Sequence, residues 1–298
     1  VLRTLLKPSE FMIKEIRYRE HDALSLSTER VELIVPKDIG PRILGAYLDG
    51  GSNLFAELPL TPGGDNPATG WQVRGGHRLW HAPEHITRTY HPDVDPVSIE
   101  TSSDGQGLSM VGPVETESGI RKKIAIRIMD ETTFRVEQEL VNAQNAWPIR
   151  CAPWALSVMN RGGYLTVPLM PKGTHPEDLL PQYSIIPWPY TDWSKPIWQF
   201  QRDYLGVDTT YADSPQKMGI SNFPGWAAYW QEAGTMAVQA PIETAEEYPD
   251  LGAAFELFSS DSILEMESLG AFKDLDKGES VQLVQHWGFF GGLSKPDQ

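Results

Sequence analysis

Cysteine is almost absent from this chain, which contains one, Cys151, among 298 residues. A single cysteine cannot form an intramolecular disulfide, and its isolation excludes the cysteine-rich ligand sets of structural zinc sites. The fold must therefore be stabilised by its core. A chain of this length can bury roughly three quarters of the surface that its unfolded form exposes. We predict that Cys151 is a buried small hydrophobic residue.

Basic residues and long apolar runs are also scarce. The chain has 25 Lys and Arg against 40 Asp and Glu, a formal net charge of −15, which disfavours nucleic-acid and membrane partners. The longest apolar runs, such as residues 152–158, are far shorter than the ~20 residues of a membrane helix. Residues 1–8 are too short and too polar for an intact signal peptide, so a cytoplasmic protein and the mature form of an exported one both stay open.

Several signatures of other enzyme classes are missing. The sequence has no Gly-rich phosphate loop, no Gly-x-Ser-x-Gly elbow and no paired Cys/His nucleophile. It also lacks low-complexity segments, long charge runs and internal repeats, which favours one continuous domain over residues 1–298.

Period-two alternation is the dominant pattern that is present. It covers residues 23–35, 122–129, 133–141 and 278–289, and turn signals separate such segments. No segment of twelve or more residues carries a clean helical apolar stripe, and only short pieces such as residues 8–16 are candidate helices. The pattern predicts an all-β fold, an antiparallel sandwich with short helices.

Residues 171–215 interrupt this pattern, because they are rich in proline, tryptophan and tyrosine and show little alternation. We interpret the segment as a long irregular insertion. Insertions of that length in a compact domain are usually functional, so its aromatic side chains either cover the sandwich or line a cleft.

Residues 71–84 carry the densest mixture of chemistry in the chain, with aromatic, guanidinium, imidazole and carboxylate groups next to a Gly pair. Such a mixture suits a polyhydroxylated ring, which needs stacking, hydrogen bonds and proton transfer in one pocket. We expect His77 and Arg78 to face a ligand and Trp80 to stack on it, while His81 and Glu84 either support them or are satisfied locally.

The histidines at 77, 81 and 85 recur every four residues, a spacing that on a helix would resemble a zinc site. Pro83 argues against that helix, so a strand followed by a loop is the preferred interpretation. We therefore predict neither a metal site nor a cofactor.

Glu265 and Glu267 lie two residues apart on a predicted strand and so point to the same face. If that face lines a cavity, burial and mutual repulsion raise at least one pKa, and the carboxylate becomes a general base. A solvated outer face is an equally good interpretation of the spacing alone.

Three further residues are candidates for the same pocket. Trp154 can stack on a sugar or belong to the core. His175 lies on the irregular insertion, where an imidazole has little packing role. Asp250, in a Tyr-Pro-Asp segment, can supply a hydrogen bond or an ordinary turn.

Together these segments resemble the galactose mutarotase-like (aldose 1-epimerase-like) superfamily, and most closely its uncharacterised members. The matching elements, spread over nearly the whole chain, are residues 39–45, 75–84, 140–142, 154–159, 161–163, 217–219, 225–226, 248–250, 265–270 and 275–280. The resemblance implies a β-supersandwich with a concave sugar-binding face. It also implies a histidine that acts as general acid on the ring oxygen and a late-strand glutamate that deprotonates the anomeric hydroxyl.

Carried onto this sequence, the resemblance places the glutamate at Glu267, with Glu265 as the close alternative, and the sugar-binding pair at His77 and Arg78. The family's mid-chain His-Pro-Tyr-Phe motif is replaced by residues 152–154, Ala-Pro-Trp. Either His77 or His175 then supplies the proton, or the chemistry differs.

Three functions follow from the sequence. The first is an aldose 1-epimerase that needs no cofactor and acts on a small-molecule or oligosaccharide substrate, as a monomer or a homodimer. The second is a glycoside-cleaving enzyme that pairs Glu265 or Glu267 with Glu84, for which carboxylates about 5–9.5 Å apart are required. The third is a non-catalytic sugar-binding protein.

Overall fold

The computed structural model describes residues 11–295, whose backbone is almost entirely β-strand. In chain order the strands are β1 (Met12–Tyr18), β2 (His21–Ser27), β3 (Val31–Pro36), β4 (Arg42–Ile43), β5 (Gly45–Leu48), β6 (Gly76–Ala82), β7 (Ser98–Thr101), β8 (Gly107–Val114), β9 (Ile120–Ile128), β10 (Thr133–Asn142), β11 (Ile149–Asn160), β12 (Tyr164–Pro168), β13 (Ile185–Pro187), β14 (Trp198–Phe200), β15 (Tyr204–Asp208), β16 (Gln216–Ile220), β17 (Trp226–Gln231), β18 (Gly234–Gln239), β19 (Phe255–Ser259), β20 (Ile263–Leu269), β21 (Lys273–Leu275) and β22 (Ser280–Phe290). A 3-10 helix spans Thr209–Tyr211, and the α-helix α1 is the single turn Pro249–Gly252.

The strands pair antiparallel in three sheets. The largest has the order β14-β15-β12-β17-β18-β22-β10-β9-β8-β7, and the second has the order β13-β16-β19-β20-β11-β6-β4 with β21 added alongside β11. A smaller sheet, β1-β2-β3-β5, completes the structure. The all-β prediction and the antiparallel sandwich are confirmed.

One hydrophobic cluster joins the sheets and draws its members from Leu24 to Phe289. The alternation in β10 shows how the sequence produces it: Phe134, Val136, Gln138 and Leu140 are buried, while the residues that alternate with them are only partly covered. Burying one face of each strand removes apolar surface from water at about 25 cal/mol per Å². Cys151 is buried, as predicted.

Two local expectations differ from the structure. The short helix predicted over residues 8–16 is wrong for residues 12–16, which form β1 paired with β2, while residues 8–10 lie outside the described part. The segment 171–215 is irregular in its first third, but β13 extends one sheet, and β14 and β15 extend the other. Hydrogen bonds at these sheet edges order a segment that lacks an alternating pattern. Among the described residues, no helix is long and apolar enough to cross a membrane.

Candidate functional site

Five neighbouring strands of the second sheet, β16, β19, β20, β11 and β6, form the face on which the charged side chains of the site lie. Directly paired residues share a face of an antiparallel sheet. Leu156 pairs with Arg78 on one side and with Glu267 on the other, and Glu267 pairs with Glu256. A row of charged side chains therefore crosses the sheet, although its members are far apart in sequence.

This face forms the floor of a cleft of about 200 Å³. Its lining residues are Trp71, Val73, Arg78, Trp80, Glu84, Tyr90, Trp154, Leu156, Tyr190, Lys217, Phe258, Ile263 and Glu265. The ring centroids of Trp80 lie 5.0 Å from Trp71, 5.3 Å from Trp154 and 4.8 Å from Tyr90. The cleft thus combines aromatic walls with carboxylate, guanidinium and ammonium groups.

Arg78 is held by an aromatic platform and one carboxylate. Its guanidinium carbon lies 4.3 Å from the ring centroid of Trp80 and 5.1 Å from that of Trp71. Its Nη2 donates to Glu265 Oε1 at 3.0 Å. The side chain is buried, and within the described residues its Nε and Nη1 have no hydrogen-bond acceptor. Arg78 therefore orients Glu265 and retains donors for a further group.

Lys217 is the second buried cation of the site. Its Nζ lies 2.9 Å from Glu256 Oε2 and 3.1 Å from Glu267 Oε2, and 4.6 Å from the ring centroid of Trp154. Burial disfavours the charge, but attraction to the two glutamates outweighs it and raises the pKa of Lys217. Lys217 is therefore protonated at neutral pH, and its ammonium is a hydrogen-bond donor at the cleft.

Glu267 lies beneath the cleft floor and is fully buried. Its Oε2 accepts hydrogen bonds from Trp154 Nε1 at 2.9 Å and from Lys217 Nζ. Burial raises the pKa of Glu267 to about 7, Lys217 opposes that rise and Glu265 adds to it. Burial also raises the pKa of Glu256 well above its ordinary value. Glu267 therefore titrates near neutral pH, as functional carboxyls often do, and Glu256 keeps its proton to a higher pH than an ordinary glutamate does.

Glu265, Arg78, Trp80, Trp154 and Glu84 all line this cleft. Trp80 and Trp154 are almost completely buried, and Arg78 and Lys217 already lie over their rings. Glu84 extends from the end of β6, and one of its oxygens accepts a hydrogen bond from Tyr90.

His77 does not join the cleft. It alternates with Arg78 along β6 and points into the core between the sheets, where Nδ1 lies 2.9 Å from Ser157 Oγ and Nε2 lies 3.1 Å from Gln138 Oε1. The expectation that His77 faces a ligand beside Arg78 is corrected by this geometry, because adjacent residues of a strand point to opposite faces.

His175 and Asp250 also lie outside the lining of the cleft. His175 is exposed in the loop that precedes β13. Asp250 is in the α1 turn and lines a separate surface groove with Glu243 and Glu246. Neither side chain is brought to Arg78 and Glu265 in this structure.

The three histidines spaced by four residues do not converge. His77 and His81 lie on β6 facing inward, while His85 is in the exposed loop with its Nδ1 near Thr87. The predicted strand and loop are what the structure shows. Among residues 11–295, no group of three or more His, Cys, Asp or Glu side chains could hold a metal ion.

The two buried imidazoles should stay neutral across the physiological pH range. Burial lowers the pKa of His77 to about 3 and that of His81 to about 4. Unfolding restores an ordinary histidine, so these residues should reduce stability only as pH falls below about 6.5. We expect their ring ¹⁵N shifts to stay constant between about pH 5.5 and 8 in NMR titrations. A His77 midpoint near that of a model peptide would contradict the buried placement.

Sequence reasoning assigned no role to Lys217 or Tyr190. The one available signal for Lys217 was its position inside a strand, β16, next to the apolar Met218. A lysine buried in a strand requires counter-charges. The identity of those counter-charges depends on strand order. Tyr190 belongs to the 171–215 segment, so the alternative that its aromatic residues line a cleft holds for this residue.

Comparison with known proteins places the fold. No family model and no curated protein matches the chain. Solved structures do, and the fold is galactose mutarotase-like, as the sequence resemblance implied.

Three solved structures illustrate the similarity. A galactose mutarotase-like protein from Clostridium acetobutylicum has a TM-score of 0.57 and 10% identity over 94% of this chain and 98% of its own. A candidate mutarotase from Salmonella typhimurium has a TM-score of 0.56 and 10% identity over 95% and 96%. A candidate aldose 1-epimerase from Escherichia coli K12 has a TM-score of 0.50 and 12% identity over 94% and 99%. At these identities the likeness concerns the fold.

Proposed function

We propose that the cleft binds a carbohydrate and interconverts its anomers by general acid/base catalysis, as an aldose 1-epimerase does. The observation that carries the proposal is the arrangement of the polar groups. A carboxylate held by Arg78 and an ammonium held by two glutamates share one aromatic-walled face of the sheet.

Glu265 is the proposed base. It lines the cleft, whereas Glu267, to which the sequence assigned this role, lies beneath the floor. Arg78 holds one oxygen of Glu265 and fixes the direction of the carboxylate. The other oxygen can accept the proton of an anomeric hydroxyl, at the short range that proton transfer requires.

Lys217 is the proposed acid, in place of the histidine expected from the sequence. It lies two strands from Glu265, since Phe258 pairs with both residues, which corresponds to roughly 10 Å between backbones. As the bond between the anomeric carbon and the ring oxygen breaks, the ring oxygen becomes basic and takes a proton from Lys217. The open-chain aldehyde then rotates, and the reverse steps close the ring and return both protons.

Binding would use the remaining walls of the cleft. Tyr90 and Tyr190 are only partly covered, so their rings offer aromatic surface to the apolar face of a sugar. The free Nε–H and Nη1–H groups of Arg78 are donors suited to sugar hydroxyls. Trp80 and Trp154 shape the floor and hold the two cations.

Glycoside cleavage is the second candidate, because Glu84 and Glu265 line the same cleft. One oxygen of Glu84 is bound to Tyr90, which leaves the other for a leaving-group oxygen or a water. Two carboxyls on opposite sides of a glycosidic bond are the requirement for that chemistry.

The protein should accelerate anomer exchange of free aldoses, measured by NMR exchange spectroscopy on a panel of hexoses and pentoses. The matched control is heat-denatured protein assayed in the same buffer. Release of reducing ends from oligosaccharides would instead support the glycosidase. Saturable binding with neither reaction would leave a sugar-binding protein and refute both catalytic proposals.

A further inference from the structure

Glu256 is an unusually placed carboxyl. It lies on β19, is fully buried, and faces Glu267 directly across the sheet. Cβ atoms of such a pair are about 5 Å apart, and like charges at that position repel. Within the described residues, neither oxygen of Glu256 makes a hydrogen bond of good geometry, although Lys217 Nζ is 2.9 Å from one of them.

The charges around Glu256 do not balance when every group is ionised. Lys217 on β16 is the cation that pairs with Glu256, and it also pairs with Glu267. Two further carboxylates act on the pair: Asp250 of the α1 turn raises the pKa of Glu256, and Glu265 raises that of Glu267. The positive charge of Arg78 on β6 lowers the pKa of Glu267. Two buried carboxylates with one ammonium leave an uncompensated charge, which is costly in an enclosed site.

We propose that Glu256 is a positioning residue that shares one exchangeable proton with Glu267, so that the trio of Glu256, Lys217 and Glu267 is electrically neutral near neutral pH. The raised pKa of each carboxyl agrees with this, and in a coupled pair the proton belongs to both. With one proton on the pair, Lys217 faces one negative charge in place of two. Its ammonium is then held less strongly by the glutamates and can donate a hydrogen bond into the cleft.

The consequence for catalysis rests on the proposed function. As pH rises and the shared proton is lost, both carboxylates bind Lys217, and the lysine becomes a poorer donor to the ring oxygen. The exchange rate should therefore fall on the alkaline side of neutrality. In Glu256→Gln, the Glu267 carboxylate and the Lys217 ammonium balance each other, and no shared proton is needed for neutrality. The alkaline fall in exchange rate should therefore move at least one pH unit higher, a change of about tenfold in proton concentration.

The consequence for stability needs no substrate. The native protein holds a proton that the unfolded chain releases above about pH 4.5, so the free energy of unfolding should decline as pH rises towards neutrality. The slope of the unfolding free energy against pH is proportional to the number of protons released on unfolding. Between about pH 5 and 7 the wild-type slope should exceed that of Glu256→Gln by up to about one proton.

The experiment is urea unfolding of the full chain at a series of pH values. Glu267→Gln should flatten the slope as Glu256→Gln does, and the double variant should add little more, because one proton is shared. Glu267→Gln provides the same readout if Glu256→Gln fails to fold. The matched control is Asp208→Asn, which changes a buried carboxylate at the end of β15, on the other sheet, that pairs with Lys295. The pKa of Asp208 is lowered, so this variant should leave the slope in this pH range unchanged.

Slopes in both single variants that equal the wild-type slope would overturn the proposal. A flattened slope without sugar turnover would uphold the shared proton and refute the proposed function. Sugar turnover by the wild type, with slopes in both variants that equal the wild-type slope, would uphold the proposed function and refute the shared proton.

Discussion

Glu265→Gln should lower the rate of anomer exchange by about 100-fold or more, the usual contribution of a positioned general base. Glutamine keeps the size of the side chain and can still accept a hydrogen bond from Arg78, but it cannot take the anomeric proton. The effect should appear in kcat more than in KM, because the lost interaction belongs to the transition state. NMR exchange spectroscopy at saturating sugar measures it.

Two controls sharpen this result. Glu139→Gln changes a carboxylate that is ion-paired with Lys123 on the other sheet, and it should leave the rate unchanged. Glu267→Gln tests the assignment made from the sequence. A large loss in Glu267→Gln with normal turnover in Glu265→Gln would show that the buried carboxyl is the base and that Glu265 is not.

Lys217→Met should destabilise the protein by about 3–5 kcal/mol at neutral pH, as removal of one partner from a buried ion pair does. Among the described residues, Glu256 and Glu267 form ion pairs with Lys217 alone. Methionine fills a similar volume and keeps contact with Trp154, so the loss reports charge more than packing.

The pH dependence of Lys217→Met gives it a second readout. The orphaned carboxyls should bind protons, and because their folded-state pKa is above that of the unfolded chain, the destabilisation should be smaller at about pH 5 than at pH 8. The control Lys195→Met removes the partner of the exposed Asp213 and should cost less than about 1 kcal/mol. Wild-type stability of Lys217→Met at pH 8 would contradict the ion-pair description.

The fold could be predicted from the strand patterns, because a strand with one buried face alternates apolar and polar residues along the sequence. β10 alternates throughout, and its predicted range, 133–141, nearly coincides with Thr133–Asn142. The short edge strands β13 and β14 were not predicted, since three residues are too few to show a period. Backbone pairing with a longer neighbour, and not side-chain pattern, forms them.

The site was predicted in part, and the error at His77 has a physical cause. The shared face of Glu265 and Glu267 follows from the period of a strand. On β6, however, every residue from Gly76 to Ala82 is buried, so composition does not distinguish the cleft side from the core side. His77 was therefore assigned to the ligand, although it is Arg78 that faces the cleft.

The sequence by itself determined that this chain folds as an all-β sandwich and that Glu265 and Arg78 are candidates for one pocket, because local periodicity and residue chemistry are properties of short segments. Only the tertiary structure decided that Lys217 lies between Glu256 and Glu267. That contact depends on the order and register of β16, β19 and β20. Register brings together residues 11 to 50 positions apart, and the buried charges there acquire their pKa values from one another.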